Sequence, residues 1–185
     1  AVLGTAIDKY CYLSVRHLPP FFEYKHRIVY SKVELAQDIQ DIQHPAVRGV
    51  LSEMGINTGL EIHHDGDLPA RSGLGSSSSF TVGLLNAIYA LNGRMIDKQR
   101  LSEEAIRIEQ EVLKENVGCQ DQIWAAYGGF NKVEFLPDGT FKVMPVILKE
   151  ERRLELQRSM VLVFSGSSRV ASKVAQDQLG NIKHC

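Results

Sequence analysis

Between Pro69 and Phe80 the chain reads Pro-Ala-Arg-Ser-Gly-Leu-Gly-Ser-Ser-Ser-Ser-Phe, and the uncharged, mostly apolar stretch Phe80–Leu91 follows at once. Glycines such as Gly73 and Gly75 let a backbone approach a ligand closely and reach conformations closed to other residues. Small hydroxyl residues at the head of a helix leave N–H groups pointing outward, and the helix dipole adds partial positive charge there. Pro69, Gly73, Leu74, Gly75, Ser76, Ser77 and Ser78 therefore make a candidate cradle for phosphate, and a serine hydroxyl there can also meet a magnesium ion. The competing reading is a flexible Gly/Ser linker. A linker, however, does not run into a twelve-residue apolar helix and has no use for Leu74 between its glycines.

Two acids lie downstream. In the helical pattern Leu101–Leu113, residues Leu101, Ala105, Ile106, Ile108, Val112 and Leu113 cover one broad arc, and Glu109 falls in its middle. A carboxylate on a buried face needs a cation, a metal or hydrogen-bond donors. Either a structural Lys or Arg partner or a magnesium ion satisfies that need. Asp121, in Gly118-Cys-Gln-Asp-Gln122, stands at a loop-to-helix junction twelve residues after Glu109. It reads equally as an acid in the first turn of a helix and, beside a phosphate loop and a buried Glu, as the group that accepts or steers a hydroxyl proton.

Other chemistries are excluded. No glycine precedes a lysine, so there is no Walker A loop; Gly73-x-Gly75-x-x ends on Ser78, so the dinucleotide fingerprint fails; HExxH and GxSxG are both absent. Cys11, Cys119 and Cys185 are too few and too scattered for a disulfide framework or a Cys-rich zinc site, and the expected compartment is the reducing cytoplasm. The start Ala1–Asp8 lacks the basic region of a signal peptide. With 21 Lys+Arg against 22 Asp+Glu, the net charge of −1 lacks the basic footprint of a nucleic-acid binder or a polybasic membrane patch. Ser72–Gly93 is free of charge, but its serine-rich first third leaves too short an apolar run to span a bilayer. Adjacent His63 and His64 on a strand face opposite ways and make poor joint ligands.

The elements that must position these residues follow from pattern. Leu3–Val15 reads as a strand pair or one long strand, Tyr24–Val33 as a strand, Leu35–Gln43 as a helix, Ala46–Met54 as a helix stopped at Gly55, and Gly59–His64 as a half-buried strand. Phe80–Leu91 is a helix ended by Asn92-Gly93. Leu101–Leu113 is a second, with Ser102 as its N-cap. Gln120–Tyr127 is a short helix, Phe130–Phe135 and Phe141–Val146 a hairpin across Pro137-Asp-Gly139, and Glu150–Gln157 a helix. Met160–Phe164 reads as a buried strand and Val170–Leu179 as a helix. Strands and helices mixed in this way imply an α/β or α+β fold, and both chain ends read as cut.

The loop resembles the P-x-x-x-G-L-G-S-S signature of the GHMP small-molecule kinases. Gly118-x-x-Asp121-Gln122 after Glu109 is similar to that family's catalytic and metal-ligand region. Asp8-Lys-Tyr, Tyr30-Ser-Lys32, Asp41-Ile-Gln-His-Pro45 and the four-serine run into Phe80 most resemble its heptose-phosphate members. The resemblance implies an α+β fold of the ribosomal protein S5 domain 2-like kind, a mixed sheet with helices packed on it. It divides the chain into an ATP-binding N-terminal domain over 1–158, without its first strand and first motif, and the truncated start of a C-terminal domain over 159–185. It further implies ATP and Mg²⁺ as cofactors. Residues Gly73–Ser78 would hold the triphosphate, Ser77 and Glu109 the magnesium, and Asp121 would face the acceptor hydroxyl. The expected reaction moves the γ-phosphoryl group to a sugar hydroxyl, that of D-glycero-D-manno-heptose 7-phosphate giving the 1,7-bisphosphate. The alternatives are a galactose- or fucose-like acceptor, or a non-catalytic nucleotide-binding fragment. The partner is a small sugar phosphate, with neither nucleic acid nor membrane, and the pattern leaves the oligomeric state open. Two departures stand out: Cys119 where sugar-phosphate members often carry Lys, and Arg71 where a small residue is more common, facing either phosphate or water.

Overall fold

Cys11–His17, in which half-buried and exposed residues alternate, and Leu60–Gly66, whose first three residues are buried, form two antiparallel strands, β2 and β5, in register from Cys11 opposite Gly66 to His17 opposite Leu60. This computed structural model describes residues 1–69 and 72–163. β5 also pairs in parallel with β3 (His26–Val29), and β3 pairs antiparallel with β4 (Val33–Ala36), giving a mixed sheet in the order β2-β5-β3-β4. β1 (Val2–Thr5), β6 (Phe130–Phe135) and β7 (Phe141–Pro145) form a second, antiparallel sheet in the order β1-β6-β7. Among the described residues the α-helices are α1 (Pro45–Glu53), α2 (Ser76–Leu91), α3 (Lys98–Arg107), α4 (Gln120–Tyr127) and α5 (Glu150–Arg158). The fold is thus α+β, as expected.

α2 packs on the mixed sheet at β2, and α1 and α3 pack against α2. Ile28, Leu60 and Ile62 from the strands meet Val47, Val50, Leu51, Leu84, Leu85, Ile88 and Ile108. Burial of each such side chain contributes about 1.5–3 kcal/mol, so α2, with Phe80, Val82, Leu84, Leu85 and Ile88 all buried, is fixed firmly. It lies close on β2: a methyl group at Gly83 would come within 2.7 Å of Leu13 Cδ1. A smaller core of Ile123, Val133 and Phe141 joins α4 to the second sheet.

Several local expectations give way to tertiary pairing. Leu3–Val15 is two strands, as one of its two readings had it, but they lie in different sheets rather than paired with each other. Tyr24–Val33 is split by the turn in which the Tyr30 N–H donates to the Lys32 carbonyl, and Leu35, expected in a helix, belongs to β4. Only a single 3₁₀ turn, Ile39–Asp41, remains of that helix. α3 begins before Ser102. Asp97 caps it by accepting from the Arg100 N–H at 2.9 Å, while Ser102 is buried within the helix and donates to the Gln99 carbonyl. Met160–Val163 is exposed and not a strand. Phe164 and the helix expected at Val170–Leu179 lie outside the described residues, as does Arg71. Among the described residues no helix is long and apolar enough to cross a membrane.

Candidate active site

The glycine-rich loop leaves the end of β5 through Asp67, which is tied to the start of β2. The Tyr10 N–H donates to Asp67 Oδ2 at 2.9 Å, and the Asp67 N–H donates to the Tyr10 carbonyl at 3.0 Å. Pro69 and Leu74 are exposed on its way to α2. Gly75 has φ +71°, a left-handed conformation that carries the chain into the helix. It occupies the N-cap position without any side-chain cap, and its carbonyl accepts the first helical bond, from the Ser79 N–H at 2.8 Å. The first-turn N–H groups thus lack the side-chain acceptor that a Ser or Asp cap would supply. Ser76 is half-buried, Ser77 is exposed and Ser78 is buried.

Asp121, in the first turn of α4, lies against this loop. A Cβ built on Gly75 would sit 3.2 Å from Asp121 Cγ and 3.3 Å from Oδ2. The side chain keeps contact with solvent, yet desolvation by its neighbours holds the carboxyl above the ordinary aspartate value.

Glu109 meets the start of α2 at Ser78. The helix that carries it does not continue regularly. After Arg107 it widens into a π-turn over Ile108–Val112, in which the Leu113 N–H donates to the Ile108 carbonyl at 2.9 Å. Lys114, at φ +55°, ends the turn, and the Glu115 N–H reaches back to the Glu109 carbonyl. Such single-turn widenings often mark functional sites. Glu109 is 1% exposed. Its Oε2 accepts from Ser78 Oγ at 3.0 Å and from Gln122 Nε2, while its Oε1 is buried with no partner. Among the described residues no Lys or Arg pairs with it. Glu115 feels this charge: its carboxyl is raised by burial and then by Glu109.

Loop, Asp121 and Glu109 are therefore brought together. The serine that contacts Glu109 is Ser78, one residue past Ser77. A buried carboxylate oxygen without a donor suits a hard cation with oxygen ligands, and the magnesium expected at Glu109 fits these residues on that ground. Sequence reasoning gave Gln122 no role; the available signal was a polar residue ahead of the apolar Ile123-Trp124 in so short a helix. His63 and His64 diverge as alternation requires, His63 toward Glu61 at 2.9 Å and His64 edge-on against Phe80 at 5.0 Å. Cys119 is half-buried just before α4, and burial raises its thiol. Two cavities, of about 260 and 310 Å³, lie away from the loop, one beside Tyr89 and Arg94 and one beside Pro20 and Phe22.

Comparison with known proteins points to one family. The family model described as the GHMP kinases N terminal domain matches residues 39–129. The D-glycero-alpha-D-manno-heptose 7-phosphate kinase of Campylobacter jejuni is 32% identical over 123 residues, 66% of this chain and 36% of that protein. The bifunctional fucokinase/GDP-fucose pyrophosphorylase of Arabidopsis thaliana is 26% identical over 69% of the chain and 12% of its own length. The chain thus spans little more than a third of the first of these relatives and far less of the second. In structure it is similar to a D-glycero-D-manno-heptose 1-phosphate kinase from Bacteriodes thetaiotaomicron. The TM-score is 0.72 at 22% identity, covering 98% of this chain and 64% of the other.

Proposed function

Because residues 39–129 belong to the GHMP kinase N-terminal domain family, we propose that this chain forms the nucleotide-binding part of an ATP- and magnesium-dependent sugar kinase. The observation that carries the reading is the convergence of Asp121, against Gly75, and Glu109, against Ser78, on the loop that opens α2. In this reading the backbone of Gly73–Ser78 grips the triphosphate through free N–H groups at a helix N-terminus. Ser77 and Glu109 hold magnesium, which supplies charge neutralisation on the phosphate oxygens when bound. Asp121 faces the acceptor hydroxyl and takes or steers its proton as the oxygen attacks the γ-phosphorus in line. A desolvated carboxylate is a stronger base than a hydrated one, which suits that part. Holding donor and acceptor together supplies the rest of the rate through positioning.

The acceptor is D-glycero-D-manno-heptose 7-phosphate, phosphorylated to the 1,7-bisphosphate. Its support is the Campylobacter jejuni relative, a heptose 7-phosphate kinase by name. The Arabidopsis thaliana fucokinase relative supports a second reading, a fucose- or galactose-like acceptor. ADP release measured across a panel of heptose phosphates, fucose and galactose separates the two. In the full-length protein Asp121→Asn should abolish turnover while ATP still binds. Undiminished turnover in that variant overturns the kinase reading, and ATP binding without turnover in the wild-type full-length protein favours a non-catalytic nucleotide-binding protein.

A further inference from the structure

Gln122 belongs to neither the loop nor the pair of acids, yet it is fully buried and donates through Nε2 to Glu109 Oε2. Its own Oε1 is buried without a partner, and so is Glu109 Oε1. The two leftover oxygens belong to one hydrogen-bonded pair of side chains. Both are acceptors, and among the described residues neither is met by a donor. Donors from α2 (Ser78 Oγ at 3.0 Å) and from α4 (Gln122) are spent on the same oxygen of Glu109. This distribution is uneconomical for a structural carboxylate, which would share its donors between both oxygens. It leaves one oxygen oriented and bare for something positively charged.

Resting on the cation site proposed above, we propose that Gln122 is a positioning residue for divalent-cation capture. Its amide nitrogen fixes Glu109 Oε2, together with Ser78, so that Oε1 is presented as the free ligand oxygen. Gln122 follows Asp121 directly on α4. One turn of that helix therefore serves both halves of the site: Asp121 lies on Gly75 of the loop, and Gln122 ties the π-turn. Any tilt of α4 that moves one moves the other. Residues that orient a metal ligand commonly change metal affinity 10–100-fold when replaced.

The test titrates Mn²⁺ alone into the full-length protein, following the ion by electron paramagnetic resonance, with wild type, Glu109→Gln, Gln122→Met and Gln122→Asn. Methionine keeps the length without the donor, and asparagine keeps the amide but falls short of Glu109. The inference expects the Mn²⁺ dissociation constant to rise about 10–100-fold in both Gln122 variants. It also expects the Mg²⁺ concentration for half-maximal turnover to rise in parallel, with kcat recovering at saturating Mg²⁺. Melting in metal-free buffer should stay near the wild-type temperature. If Glu109→Gln loses Mn²⁺ while both Gln122 variants bind it as wild type does, the positioning role is overturned and the cation site stands. If Glu109→Gln binds as wild type does, or wild type binds no Mn²⁺, the cation site itself falls. If both Gln122 variants melt far below wild type without metal, Gln122 is a packing residue and the inference is overturned. Should only one of the two fold, its Mn²⁺ affinity decides.

Discussion

Asp121 and Glu61 show how surroundings push two carboxyls in opposite directions. Asp121 is raised by desolvation, with no charge partner to offset it. Its folded value therefore lies above its unfolded one, and the ionised form works against folding at every pH above the ordinary aspartate range. Asp121→Asn removes that charge from beside the Gly75 loop. The expected outcome is a melting temperature equal to or above wild type, together with a turnover loss of at least roughly 10²–10⁴-fold; calorimetry and an ADP-release assay on the same sample check both. Glu61, 3% exposed on β5, is the reverse case. It accepts from His63 at 2.9 Å and from Arg27 at 2.5 Å, and Arg16 joins them, so its carboxyl is held down to about 2. Stability from this lowering is fully present above the unfolded value of 4.5 and is lost as pH falls from there toward 2. Glu61→Gln should cost about 2–3 kcal/mol at neutral pH, a discount on a fully buried pair because Arg16 reaches solvent. The difference from wild type should shrink as urea-unfolding curves are taken from pH 6 to pH 3.

At the scale of elements, the loop-to-helix junction was largely legible in the sequence. The two glycines, the serines and the apolar run after them announce a helix N-terminus, and α2 is that helix, although it starts at Ser76 rather than at the expected Phe80 and carries no side-chain cap. The pairing of Leu35 with Arg27 across β3 and β4 was not legible, because the segment carries a helical pattern that only the neighbouring strand overrides. Nor was the π-turn at Glu109: a regular helical wheel places Glu109 inward correctly, but the extra residue that widens the turn leaves no compositional trace. The contact between Gly75 and Asp121 joins residues far apart in the chain and could be anticipated only through the family's pattern. That contact can be tested against a control in the same loop. Gly75→Ala places a Cβ at φ +71°, 3.2 Å from Asp121 Cγ, whereas Gly73→Ala places one at φ +76° with nothing within 4 Å. Both variants should lose about 1–2 kcal/mol from the left-handed backbone. Only Gly75→Ala displaces the acid, so kcat should fall much further in it than in Gly73→Ala. Urea unfolding and steady-state assays run side by side separate the strain they share from the contact only one disturbs.

The described residues form two cores, and the candidate site lies on the seam between them. α2 and its loop belong to the core built on the mixed sheet; α4 is anchored through Ile123 to Val133 and Phe141 of the second. α4 packs against both α2 and α3, with Ala125 and Ala126 against the first core, and the hydrogen bonds of Glu109 to Ser78 and Gln122 join three elements across that seam. A ligand that engages both sides should tighten the seam as a unit rather than rigidify the loop only. Mg-ATP at 100 times its dissociation constant should add about 2.7 kcal/mol of stability, seen as a rise in melting temperature. Amide hydrogen exchange should then slow over residues 73–80 and over 119–123 together, and β4, at the far edge of the mixed sheet, should exchange as before. Asp121→Asn should keep this response because its carboxylate is assigned to the acceptor side, whereas Glu109→Gln should lose most of it. Protection confined to the loop, with α4 unchanged, would mean that the nucleotide is held by one core and that α4 takes no part in binding it.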